Sequence, residues 1–419
     1  MMYTSLRGYS HILSYLAPKG AVKVRQGHAL FFGNLGLSMI LGATGVVGQT
    51  SKTDPTKSNP DTRAIMDTLI DSFAEVLPLS FDMKEFSSKK SKQTILKSLK
   101  KLKDNANILE QHGKIKDKNF GFVAKSLESD ANNVYRWFEK GYYDEAKFTL
   151  HNMTENCIAC HSSLPETAKF PKPERFLSKI NLQNLPALDK AHYLTMSRQF
   201  DEALAAYETV FNDPEIQPAN LIALGSFTQY MKLSISVKSD FNRPQKLLLN
   251  IADRPKTPRH VRMLVLKWNK QLETYEKSAP FGQITLPSIR KTIEAGKLEM
   301  EFPKDRDGLI HYVTANAMLN RYVNGNPSTS TDMAEAYYLM GVTESLLGHS
   351  FWISRQDFYL ETAIRLAPGS NFSPKAYALL EESLVTGFTG SAGTNIPDDV
   401  SLLLNDLKTL IDNAKKEKS

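Results

Sequence analysis

Five consecutive residues, Cys157, Ile158, Ala159, Cys160 and His161, constrain this chain more than any other stretch. Residues three and four apart lie on one face of a helix. One helical turn therefore points both sulfurs and the imidazole at a single object. The chain holds 2 cysteines in 419 residues. A structural zinc site takes four protein ligands, and no second cysteine pair supplies them. A thioredoxin-like redox pair would follow a strand, whereas the residues before Cys157 carry a helical period. A disulfide framework is excluded by the same count.

C-x-x-C-H is the attachment signature of a c-type haem. The two thiols add to the haem vinyl groups, and the histidine that follows becomes an axial iron ligand. The N-terminus is consistent with that chemistry. Residues 1–48 contain no Asp or Glu and carry Arg7, Lys19, Lys23 and Arg25. An apolar stretch from Ala29 to Val47 follows and ends in small residues, the layout of an export signal. The expectation is a cleaved signal peptide over 1–48 and a periplasmic location, where c-type haem is attached. The alternative is an N-terminal anchor, and contact with a membrane is expected only in that case. Residues 49–60, with Pro55 and Pro60, read as a linker. The formal charge of +7 includes those four N-terminal cations. The remainder is too mild to indicate nucleic acid.

Residues 61–165 read as four amphipathic helices. The first starts at Asp61 as N-cap, carries Ile65, Met66, Leu69, Ile70, Phe73, Val76 and Leu77 at three-four spacing, and should end at Pro78. The second spans about Ser91 to Gln111, stopped by Gly113. The third spans Phe120 to Lys140, stopped by Gly141. The fourth starts near Tyr143, and Ala146, Leu150, Met153, Cys157 and His161 share one face of it. Such helices with short connections fold most simply as a bundle.

This segment, a quarter of the chain, resembles the class II cytochromes c, the cytochrome c′ and c-556 family, which place C-x-x-C-H near the end of a fourth helix. The resemblance implies one covalent haem c tethered by Cys157 and Cys160, with His161 as proximal iron ligand. It also implies a distal residue near the start of the first helix. Met66 stands there, as an iron ligand or as core packing. Met153 lies on the proximal side, and Met83 falls after Pro78 in an expected loop. Arg63 is a candidate partner for a haem propionate, although its spacing to Met66 is one residue short of the family's pattern.

From Lys89 to Lys118 there are ten lysines against Asp104, Glu110 and Asp117. This face suits an acidic redox partner. Beyond a linker with Pro165, Pro171 and Pro173, residues 176–419 read as helical. Ala187 to Tyr207 resembles a tetratricopeptide repeat, with Ala191, Leu194, Ala203 and Tyr207 at its consensus places and Pro214 near the closing position. A second partial match runs from Ala334 to Pro368 and includes Gly341. Helical segments are expected at Ala219–Val237, Arg259–Glu276, Pro287–Glu299 and Asp307–Tyr322, with loops at Asn324–Asp332 and Gly387–Pro397. His192, His260, His311 and His349 are isolated in sequence, and no catalytic constellation is visible.

The expected fold is all-α, a four-helix haem domain at 61–165 followed by a helical-repeat region at 176–419 that holds a partner protein. The expected function is electron transfer by an exported monohaem cytochrome. The competing reading is a five-coordinate haem that binds a diatomic gas. An enzyme is the weakest reading.

Overall fold

The computed structural model describes residues 62–116, 118–163, 173–223, 225–302, 305–325, 329–348, 355–391 and 393–417. The expected export signal and the 49–60 linker lie outside them. The chain is all-α. The regular structure among the described residues is helical apart from one antiparallel hairpin, β1 (Thr389–Gly390) with β2 (Gly393–Thr394). No helix among them is long and apolar enough to cross a membrane.

The motif lies in the first group of helices: α1 (Thr62–Ser80), α2 (Met83–Phe86), α3 (Lys89–Lys116), α4 (Lys118–Lys140), α5 (Tyr143–Asn152) and α6 (Thr154–His161). Their apolar stripes meet in one core, in which Val76, Leu77, Ile95, Leu99, Ala106, Ala131, Val134, Phe138, Ala146 and Leu150 are fully buried. α3 packs on both α1 and α4, and α4 packs on α5 and α6. Three boundaries differ from expectation. α1 continues past Pro78 to Ser80. A proline in the last turn forfeits one backbone bond but need not end the helix. α3 runs through Gly113 to Lys116, since a 28-residue helix absorbs one interior glycine. Met83 opens a short helix capped by Asp82 rather than lying in a loop. Gly141 does stop α4, with φ at +84°.

This core continues beyond the proline-rich segment. Phe176 and Ile180 of α7 (Pro173–Ile180) and Tyr193 and Met196 of α8 (Ala187–Met196) belong to it. Phe176 stacks on Phe73, with centroids 6.5 Å apart. Arg175 pairs with Asp71 at 3.0 Å.

α8 then packs on α9 (Phe200–Phe211). The next helices are α10 (Pro218–Ala223), α11 (Gly225–Lys232), a π-helical turn Leu233–Val237, α12 (Asn242–Asp253) and α13 (Arg259–Ser278). They share a core with α8 and α9 around Phe211, Phe227, Tyr230 and Trp268. A third core joins α14 (Leu286–Glu299), α15 (Leu309–Asn324), α16 (Ser330–Leu347) and α17 (Arg355–Leu366). Gly341 lets α16 and α17 approach closely, because a Cβ there would lie 2.5 Å from Leu360 Cδ2. The last core joins α17 to α18 (Ser373–Gly387) and α19 (Asp398–Lys416). α17 also returns to α4. Phe358 stacks on Phe122 at 4.3 Å, and the Tyr359 hydroxyl donates to Asn119 Oδ1 at 3.3 Å.

Candidate functional site

The expected fourth helix is two pieces, α5 and α6, joined at Met153. That residue keeps right-handed helical angles (φ −63°, ψ −14°), so the apolar stripe runs on across the break. Ala146, Leu150 and Met153 are buried, and Cys157 and His161 continue their face. The Thr154 hydroxyl donates to the His151 carbonyl at 2.6 Å and satisfies one acceptor at the joint.

Cys157, Cys160 and His161 line one narrow cavity of about 50 Å³. The far walls are Met66, Leu69, Ile70 and Phe73 of α1, Leu102 and Leu109 of α3, and Phe120, Val123, Ala124 and Leu127 of α4. Three helices distant in sequence thus surround α6 with apolar side chains. Burial pushes the Cys157 thiol up to about 12, with Cys160 adding to the effect. It is a neutral thiol at physiological pH. A metal held by thiolates needs the opposite, whereas neutral thioethers suit such an environment.

His161 is 9% exposed. Its Nδ1 lies 2.5 Å from the Met196 carbonyl oxygen. A carbonyl can only accept, so Nδ1 carries the proton and Nε2 keeps its lone pair. Burial holds the ring's protonation down to about 4, the bond to Met196 opposes that, and Arg198 adds to it. The Arg198 guanidinium in turn donates to the His161 carbonyl. Beside the motif, Asn156 Nδ2 donates to Asp130 Oδ2 at 2.7 Å, both residues being buried. Asn156 Oδ1 is buried without a hydrogen-bond partner, an unused acceptor in the cavity lining.

The chemistry of these side chains is what a haem would need. The wall is apolar, two sulfurs share a face, and one imidazole has its proton fixed on Nδ1. Among the described residues no group of three or more His, Cys, Asp or Glu could hold a bare metal ion. A porphyrin iron needs only axial ligands from protein.

The structure brings Met66 into the same cavity as Cys157, Cys160 and His161. Met153 lines it as well, from the motif's own helix face, while Met83 does not. Arg63 is exposed, is not part of the cavity wall, and makes no hydrogen bond or ion pair among the described residues. Of the lysine-rich stretch, Lys89, Lys90, Lys97, Lys100 and Lys101 are exposed on α3. Lys100 pairs with Asp104 at 2.8 Å, and Lys103 lies over the Tyr135 ring.

His192, isolated in sequence, is not isolated in space. Its Nε2 is 2.5 Å from the Thr154 hydroxyl and its Nδ1 is 3.6 Å from Glu155, both on α6. His311 similarly meets the Tyr275 hydroxyl at 2.5 Å. Met196, Arg198, Asn156 and Asp130 are site residues that the sequence does not announce. Met196 and Arg198 stand beyond the proline-rich segment, and no spacing rule links them to His161. Comparison with known protein families, with curated proteins and with solved structures finds no match to this chain.

Proposed function

We propose that the chain is an exported, periplasmic monohaem c-type cytochrome that carries electrons. In this reading α1, α3, α4 and α5 with α6 are the four-helix haem bundle. The helix pairs from α8 onward are a tetratricopeptide-like scaffold for a protein partner. The observation that carries the reading is the single apolar cavity onto which Met66, Cys157, Cys160 and His161 converge.

When bound, haem c would supply reversible one-electron chemistry at iron. Cys157 and Cys160 would tether it, and His161 Nε2 would bind the iron. Met66 would take the sixth position, where a soft sulfur favours the reduced metal. The apolar side chains of α1, α3 and α4 exclude water, which favours outer-sphere transfer without an open site. The exposed lysines of α3 suit docking of an acidic redox partner. Arg63 would reach a propionate only through its exposed position at the start of α1.

A second reading has one observation in its favour. Apart from Met66, the α1 and α4 residues that face the cavity offer no iron ligand at all. If Met66 only packs, the iron is five-coordinate and open to a diatomic gas such as NO or CO.

Two measurements test these readings. Protein exported in a host with haem-maturation machinery should stain for haem on a denaturing gel. Cys157→Ala together with Cys160→Ala should abolish the stain, and an unstained wild type removes the proposal. Optical spectra then separate the carrier from the gas binder. A low-spin ferric form with a weak long-wavelength sulfur-to-iron band, lost in Met66→Leu together with the appearance of carbon monoxide binding, is expected for the carrier. Ready carbon monoxide binding by the wild-type ferrous form selects the gas binder.

A further inference from the structure

His161 is held from two sides by a turn that lies outside α1–α6. The turn joins α8 to α9 and comprises Ser197, Arg198 and Gln199. On one side, His161 Nδ1–H donates to the carbonyl of Met196, the last residue of α8, at 2.5 Å. On the other, Arg198 donates to the carbonyl of His161 itself. That carbonyl belongs to the last turn of α6, whose acceptors have no partner within the helix. Ring and backbone are thus both fixed by residues more than thirty positions away in the chain.

The turn is itself rigid. Ser197 and Arg198 backbone N–H groups donate to Tyr193 and Thr195 at 3.0 Å each, and Gln199 N–H donates to Leu194 at 2.8 Å. The Arg198 guanidinium lies 4.9 Å from the Phe200 ring centroid. Arg198 is only 9% exposed, and its backbone is left-handed, with φ at +61°. Glycine is the usual occupant of such a conformation. An arginine there gives up that ease, and its side chain reaches His161. Left-handed backbone at a non-glycine residue concentrates where surrounding structure has a use for it.

We propose that the Met196–Arg198 turn is the positioning device for the axial histidine, so that the first helix pair beyond the motif sets the iron–histidine bond and the reduction potential. The inference rests on the haem reading above and assigns Arg198 as a positioning residue. A carbonyl acceptor on Nδ1–H fixes the ring's rotation and raises the basicity of Nε2. The buried guanidinium next to His161 favours the reduced iron, which carries one positive charge fewer. Anything that moves α8 against α6 therefore changes the potential.

The experiment uses full-length protein purified with its haem. Arg198→Gly keeps the left-handed turn free of strain and removes the guanidinium. Arg198→Lys keeps the charge and removes the planar fork. Covalent haem is quantified first; a wild type without it defeats the haem reading and this inference with it. With haem present, Arg198→Gly should lower the midpoint potential and broaden the ferric electron paramagnetic resonance signal as the ring orientation loosens. Arg198→Lys should recover most of the potential but not the sharp signal. A haem-loaded Arg198→Gly protein with wild-type potential and wild-type resonance overturns the proposal, even if its melting temperature falls, because a purely structural arginine would give that result.

Discussion

His151 lies in the last turn of α5 and His161 in the last turn of α6; the first is half-buried, the second buried. The Ser80 hydroxyl donates to the Leu77 carbonyl at 2.6 Å, so its oxygen accepts from His151 Nε2–H at 2.7 Å. Burial lowers His151 to about 4 from an ordinary 6.5, with repulsion from Lys147 and His192 adding to it. Above pH 6.5 the ring is neutral in folded and unfolded chains alike, and its contribution to stability is complete. Between 6.5 and 4 the unfolded chain takes the proton first, so stability falls as pH falls, by up to about 3 kcal/mol. Denaturant unfolding at pH 7 and pH 5 should show this loss. The variant His151→Gln should show a smaller difference between the two pH values. An equal loss in both proteins would assign the pH dependence to other groups. His161 differs because its acceptor is a backbone carbonyl, which fixes the ring proton on Nδ1. The sequence makes the motif legible because three residues of two types, at fixed spacing, define it. The acceptor that selects the tautomer is a carbonyl, which no residue type encodes.

At the scale of elements, the helices of the motif region were legible because their apolar positions recur at helical spacing and their cores are built from those positions. Punctuation was less reliable. α12 escapes the sequence reading although its stripe of Leu247, Leu248, Ile251 and Ala252 is buried. Pro244 sits in its first turn, where the missing N–H costs nothing. The single long segment expected at Ala219–Val237 is instead two α-helices and a π-helical turn, in which Lys238 N–H bonds Leu233 at 3.1 Å. Charge burial between elements was not legible at all. Glu344 of α16 is 6% exposed and accepts from Arg355 of α17 at 2.8 Å and from Asn316 of α15 at 3.1 Å. Lys232 of α11 lies 3.5 Å from its other oxygen. Burial raises the Glu344 carboxyl, but Arg355 and Lys232 outweigh it, and the group stays ionised below its ordinary value. Glu344→Gln preserves shape and strands two buried cations. It should destabilise the protein by about 3–5 kcal/mol, read as a lower denaturant midpoint. A change under 1 kcal/mol would mean that water reaches the cluster.

Over the whole molecule, the proline-rich segment divides the chain in sequence more than in packing. The expected haem domain ends at 165, yet its core takes Phe176, Ile180, Tyr193 and Met196 from beyond that point. The Arg175–Asp71 pair at 3.0 Å crosses the same divide. So do the contacts of His161 with Met196 and Arg198. Much further along, α17 stacks Phe358 on Phe122 at 4.3 Å. Removing residues after 172 would return the face of buried Phe73 that stacks on Phe176 to water, at about 25 cal/mol per Å² of apolar area. The two expected domains are therefore not expected to part when the chain between them is cut. A protease recognition sequence introduced between residues 164 and 172 and cleaved after folding should yield two fragments that elute together on size exclusion. They should separate only in denaturant, in one transition followed by both tryptophan fluorescence and circular dichroism. Fragments that part under native conditions would show that the shared core contributes less than the covalent connection. The positioning of His161 from α8 would then need an intact chain.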